Sequence, residues 1–343
     1  MRGERNNYRY YSIHNILKVK TNIEVSIPDY FLIKEGGIEG DFNPDIEIIR
    51  ENFDVIRPKE GVAKSRNYFY WTEGSALIID YAAPFMNTKL IIDDLGGKTK
   101  IKFTESLSRF GRIDPPSINS ILDIKLTLKD FALLHSGCLN YNGRCLLFIA
   151  SRDIGKTSTV LSLLDGEKIK FMSDDLTIIS RRGVAYAYPE KVSISPYTLT
   201  GKVLPPYSRI IRSRLAKSHF LSLLLGRFFN LELVERREVP RNLIEDKGKI
   251  SKVFILKGGV KDERIEQIDH ADAVRKIISA TLGLINPTKE YLLNFYSYIL
   301  DFSLYDLLAE KKKIIEEAIK NAECFEVRSN NVGRYSEMIR EVI

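Results

Sequence analysis

The sequence predicts a mixed α/β chain, α+β in the arrangement of its parts, with a smaller β-rich domain over 1–115 and a larger α/β domain over 116–343. Three observations predict it. From Tyr8 to about Thr104 the chain carries β-branched and aromatic runs punctuated by turn residues. Pro115-Pro116 then interrupts it. Beyond the prolines, a short apolar strand, RCLLFIA, runs through SRDIGKT into a helical stretch with one apolar face. The 343 residues correspond to roughly two domains of ordinary size.

In the first half, Ile16–Ile27, Tyr68–Tyr81 and Thr88–Phe103 read as strands, with turns at Gly36-Gly37, Asn43-Pro44 and Gly96-Gly97. No catalytic residue types cluster there, so this half reads as a packing or assembly domain. After the prolines, Ser117–Gly137 carries an apolar period of helical spacing, with Ser117 as N-cap. Cys138–Tyr141 reads as a short strand, and Asn142-Gly143 is a hairpin turn because both residues accept positive φ. Arg144–Ala150 is a buried strand, Ser151–Gly155 a loop and Lys156–Leu164 a helix ended by Asp165-Gly166. Ile169–Met172 is a strand that closes on Ser173-Asp174-Asp175, followed by a hairpin from Leu176 to Tyr188. Lys252–Lys257 and Cys324–Arg328 read as strands, Asp272–Leu284 and Leu304–Ala322 as helices.

Composition excludes several classes. The N-terminal residues lack the apolar run of a signal peptide. The most apolar late stretch, Tyr291–Ala309, carries Asp301 and Asp306 and reads as amphipathic, not membrane-spanning. A cytoplasmic protein with no membrane partner is expected. None of the three cysteines forms a C-x-x-C pair, which argues against a disulfide framework or a structural zinc site. Cys138 and Cys145 read as small buried hydrophobes. The four histidines are scattered, so any metal is expected to be Mg²⁺ on oxygen ligands. Gln occurs once while Lys, Glu, Arg and Ile abound, a bias shared with thermophile proteins.

The net charge is +7, and the segment 202–252, with twelve basic residues against five acidic, carries all of it. It reads as a basic insertion, either a plain solvated one or a clamp for an anionic substrate through Arg209, Arg212 and Arg214. RNA binding is a lesser expectation, since no aromatic-rich RNA motif accompanies the charge.

The chemistry centres on A-S-R-D-I-G-K-T, Ala150–Thr157. It follows the P-loop template G-x-x-x-x-G-K-[ST] in its strand–loop–helix setting, with Ala150 in place of the first glycine. Backbone N–H groups of Ser151, Arg152, Asp153, Ile154, Gly155, Lys156, Thr157 and Ser158 are the expected nucleotide cradle. Gly155 permits close approach, Lys156 reaches the β- and γ-phosphates, and the Thr157 hydroxyl is a Mg²⁺ ligand. Downstream, Asp174-Asp175 ends a strand. Adjacent carboxylates are costly without a compensating cation or proton, so the pair suits one metal ligand and one proton acceptor.

LLHSGCLNYNGRCLLFIASRDIGKTST followed by FMSDDLTII resembles the catalytic domain of the HPr kinase/phosphorylase family, whose P-loop domain is related to phosphoenolpyruvate carboxykinase. The order histidine, hairpin, strand, P-loop, helix, strand, Asp-Asp is the same. The resemblance covers about 130–200 and continues more loosely to about 330. It implies an HPr-kinase-like P-loop fold for 116–343. It implies Asp174 as catalytic base, Asp175 as its acidic neighbour, His135 beside the transferred phosphate, and Glu190 as an acidic metal contact with Thr157 and Asp175. His135 also reads as a histidine satisfied in the core.

The function expected is a kinase that moves the γ-phosphoryl of ATP, with Mg²⁺, to a hydroxyl of a protein serine, a peptide or a small molecule, an anionic acceptor being one option. The resemblance further implies self-association. The family's downstream signature for HPr and its dephosphorylation is missing, so HPr is not the expected acceptor. The alternative is a nucleotide-binding regulatory or assembly protein without transfer activity, motivated by the altered loop Ala150–Ile154. An RNA-directed kinase is the lesser alternative.

Overall fold

A computed structural model describes residues 8–34, 37, 42–64, 68–83, 86–104, 118–151, 153–194, 198, 235–260, 262–282 and 303–343. The fold is mixed α/β, with two eight-stranded sheets and five α-helices among the described residues. The chain forms two compact units, Met1–Asp130 with Ile285–Glu310, and Phe131–Leu284 with Lys311–Ile343. The boundary expected at 115/116 lies outside the described residues, as do Arg152, Arg209, Arg212 and Arg214.

The first unit is built on strands β1 (Arg9–Ile13), β2 (Leu17–Thr21), β3 (Ile46–Arg50), β4 (Ala63–Lys64), β5 (Tyr68–Glu73), β6 (Ala76–Ala83), β7 (Met86–Asp93) and β8 (Thr99–Phe103). They lie in the order β1-β2-β3-β8-β7-β6-β5-β4. His14 and Asn15, both at positive φ, are the central residues of the turn between β1 and β2, which the Ile16 N–H closes on the Ile13 carbonyl. Alternation sorts the two faces. Val19, Ile46, Ile48 and Ile101 are buried, while Lys20, Glu47 and Lys100 stand on the other face, with Glu47 paired to both lysines. The strand expected at Ile16–Ile27 stops at Thr21. There the Thr21 hydroxyl accepts the Ile23 N–H, and the Asn22 side chain bonds the backbone of Arg50, which turns the chain away.

Helix α1 spans Ile118–Thr127, ten residues shorter at its C-terminal end than the apolar period predicted. Asp130, at φ 66, ends the turn after it, and strand β9 (Phe131–Tyr141) begins at once. Every residue from Ala132 to Asn140 is buried, because β9 has apolar layers on both faces. A strand buried on both faces loses its alternation, and periodicity cannot separate it from a buried helix.

The second unit continues with β10 (Arg144–Ile149), α2 (Lys156–Leu163), β11 (Ile169–Ser173), β12 (Leu176–Ser180), β13 (Val184–Tyr186), β14 (Val192–Ile194), β15 (Glu235–Arg237), β16 (Lys247–Lys257), β17 (Arg264–Gln267), α3 (His270–Leu282), α4 (Leu304–Ile319), β18 (Glu323–Arg328) and α5 (Val332–Arg340). Its sheet runs β10-β9-β12-β13-β16-β18-β17, with β11 on β9. A parallel pairing of β10 with β16 closes β10, β9, β12, β13 and β16 into a ring of neighbours. One apolar layer holds Cys138, Cys145 and Met172 with residues of α3 and α4; the other holds Leu139, Phe148 and Phe254 with residues of α2 and α5. The segment expected as a basic insertion to 252 gives way to the core earlier, because β16 starts at Lys247. No helix among the described residues is long and apolar enough to cross a membrane.

Candidate functional site

Ile149 ends β10, and the loop to α2 turns through two left-handed residues, Asp153 at φ 63 and Gly155 at φ 103. Left-handed residues in such a loop turn successive N–H groups toward one concavity. Gly155 is the N-cap of α2, and no side chain caps that helix. The N-cap residue itself therefore offers the positive helix end no side-chain acceptor. Asp153 and Ser151 are exposed, and Ile154 packs over Gly258 at the end of β16. A Cβ on Gly155 would lie 2.6 Å from Val332 Cγ1, so α5 presses directly on the loop. Gly155→Ala is expected to cost about 1–3 kcal/mol through strained φ and this clash. Urea unfolding measures it; a variant as stable as the parent would contradict this loop geometry.

Asp174 and Asp175 occupy the turn between β11 and β12. The Asp175 carbonyl accepts the Ser136 N–H and the His135 Nδ1–H, each at 3.1 Å, which pins the turn to β9. That bond places the His135 proton on Nδ1 and leaves Nε2 as an acceptor. The Lys156 ammonium lies 3.0 Å from Nε2 and 3.3 Å from Nδ1, and 3.4 Å from Asp175 Oδ1. Burial lowers the Lys156 pKa, outweighing the nearby charges of Asp175, Asp174 and Glu190. Glu190, half-buried after β13, is thus within electrostatic reach of the lysine.

Asp174 is the most constrained group. Only 4% of it is exposed. Its Oδ2 accepts the Thr157 hydroxyl at 2.9 Å, and its Oδ1 is buried without a partner among the described residues. Burial, then the charge of Asp175, pushes its pKa up to about 7, against the smaller pull of Lys156 and the Thr157 bond. A carboxyl at that value exchanges its proton near neutral pH, as a general base requires.

His135, Lys156, Thr157, Asp174 and Asp175 are thus brought together, and Ser158 lies buried one residue further into α2. Sequence reasoning missed two contributors. Gly137 has no side chain where a Cβ would meet Val160 Cγ2 at 2.7 Å and the Asp174 carbonyl at 3.4 Å, so it lets α2 and the acidic turn approach β9. A lone glycine inside a long apolar strand was its signal. Val332 had none, since its neighbour Gly155 is far away in sequence. Among the described residues no three His, Cys, Asp or Glu side chains gather to hold a metal by themselves.

No family model matches the chain, and no curated protein matches it. Among solved structures, the HPr(Ser) kinase/phosphatase from Coxiella burnetii aligns over 61% of this chain and 94% of its own, at 8% identity and a TM-score of 0.28. A TM-score that low carries no weight for function, which has to be argued from the site.

Proposed function

We propose that the protein is a phosphotransferase that moves the γ-phosphoryl group of ATP to a hydroxyl. The observation that carries the reading is the Thr157–Asp174 bond at the start of α2, with the other Asp174 oxygen buried and unpartnered. It sets a carboxyl able to take a proton beside a loop and helix end suited to phosphates. In the reaction the Asp174 carboxylate accepts the proton of the acceptor hydroxyl. The hydroxyl oxygen forms a bond to the γ-phosphorus as the bond between the γ-phosphorus and the β-phosphate oxygen breaks, and ADP leaves. Lys156 turns from Asp175 and His135 to the phosphates, and His135 stays beside the transferred group.

The residues fit Mg²⁺. Thr157 donates its proton to Asp174, so the lone pairs of its oxygen are left for a cation. Asp175, 56% exposed, offers a second hard oxygen, and Glu190 adds negative potential. Phosphate oxygens and water would complete the set. When bound, the ion supplies positive charge against that of the phosphates. The acceptor class, a serine hydroxyl of a protein or peptide or a small molecule, follows from the resemblance alone.

Incubation with γ-labelled ATP and fractionated cell extract tests the proposal. One labelled species with the parent protein, lost with Asp174→Asn, supports it and names the acceptor. Tight Mg-ATP binding with no transfer to any fraction sinks it. A second reading, nucleotide binding without transfer, is favoured by the contacts of Lys156, whose ammonium is held by Asp175 and His135. It expects Asp174→Asn to leave cellular function intact while Lys156→Ala removes it.

A further inference from the structure

A cavity lies at the other end of the sheet from the loop after β10. Gly183, in the turn between β12 and β13, accepts the Ile250 N–H at 2.9 Å, and a Cβ there would sit 3.0 Å from the Ala318 carbonyl of α4. The turn is therefore pressed between β16 and the last turn of α4. Buried Ile250 and Ala318 are among the residues lining the cavity, whose volume is about 340 Å³ including its open mouth. Its charged lining is Arg181, Arg182, Lys249, Lys320 and Glu317.

Glu317 is matched by Arg181 at 2.9 Å. Among the described residues Arg182, Lys249 and Lys320 have no carboxylate partner, so three positive charges without a described counter-charge share one cavity. The end of α4 offsets little of this. A helix C-terminus carries about −0.5 of a charge, against roughly three positive ones. Like charges around a shared cavity repel, and a multivalent anion relieves that repulsion.

We propose that this cavity binds a small multivalent anion of the phosphate class. It is separate from the loop at Ala150–Gly155. Lys249 pairs with Arg144 at the start of β10, and the loop follows Ile149 at its end, about 17 Å further at ~3.3 Å per residue. A compact di- or trianion matches the charge of the cavity, and guanidinium and ammonium groups suit phosphate oxygens.

Calorimetric titration of inorganic pyrophosphate into the full-length Lys156→Ala protein tests the site apart from the nucleotide loop. Saturable, salt-sensitive binding is expected, weakened about tenfold or more by Arg182→Glu with Lys320→Glu. Lys249→Gln, a milder change, is expected to weaken it less. All three residues are exposed, and thermal unfolding of each variant verifies that it folds. No binding to Lys156→Ala, or binding indifferent to the reversals, overturns the proposal. A parent protein that fails to bind Mg-ATP yet shows this pattern leaves the anion site standing and removes only the phosphotransferase reading.

Discussion

Asp174→Asn is expected to lower phosphoryl transfer by about 10²–10⁴-fold while making the ligand-free protein more stable above neutral pH. Both effects come from one group. Asparagine keeps the shape and one oxygen for the Thr157 hydroxyl, but it cannot take the proton of the attacking hydroxyl. The stability effect follows from the raised pKa. The folded-state value of about 7 lies above the ordinary aspartate value of 3.8, so the folded protein holds this proton more tightly. That contribution is present below the unfolded pKa and is lost as pH rises through the folded one. Between about pH 5 and 7 the gap between variant and parent should widen by on the order of 1 kcal/mol per pH unit, then level off. Urea unfolding at a series of pH values measures it. The kcat/KM of the parent should rise with pH through the same region. A flat gap would show that Asp174 ionises normally, and undiminished transfer by the variant would remove it from the role of base.

The parts of this site legible in the sequence were those set by local chemistry. Strand, loop, G-K-T and helix occupy adjacent residues, and an Asp-Asp pair is conspicuous at a strand end. The hairpin at Asn142-Gly143 was equally local, since both residues do take positive φ. What stayed hidden depends on neighbours distant in sequence. Nothing in Ser117–Gly137 announces that its second half is covered on both faces by α2 on one side and α3 on the other. Nor does residue type alone foretell that Asp174 is buried and Asp175 half-exposed, although that difference separates their chemistry. The parallel pairing of β10 with β16 joins residues about a hundred positions apart, and with it comes the packing of Ile154 on Gly258.

Lys156→Met should weaken Mg-ATP binding by about 10–100-fold, the usual worth of charged hydrogen bonds to an anion. Methionine preserves the buried stem, so a loss of packing does not obscure the result. Lys156→Arg tests the same point from the other side: it keeps the charge but has to place a planar fork in a pocket shaped for an ammonium, so recovery should be partial. In the ligand-free protein the variant has a second signature. Lys156 is one of the two influences that lower the Asp174 pKa, and without it that pKa should climb beyond about 7. The pair with Asp175 contributes little by itself, because Asp175 is 56% exposed and solvent screens it. Burial already disfavours the Lys156 charge, so below neutral pH, where Asp174 is protonated, the variant should be at least as stable as the parent. Its stability should fall above neutral pH, where the buried carboxylate has lost its cation. Thermal unfolding at about pH 6 and pH 8, with and without Mg-ATP, reads both signatures. Unchanged ligand-induced stabilisation in Lys156→Met would mean that nucleotide, if it binds at all, does so without this lysine, and the loop at Ala150–Thr157 would no longer support a phosphotransferase.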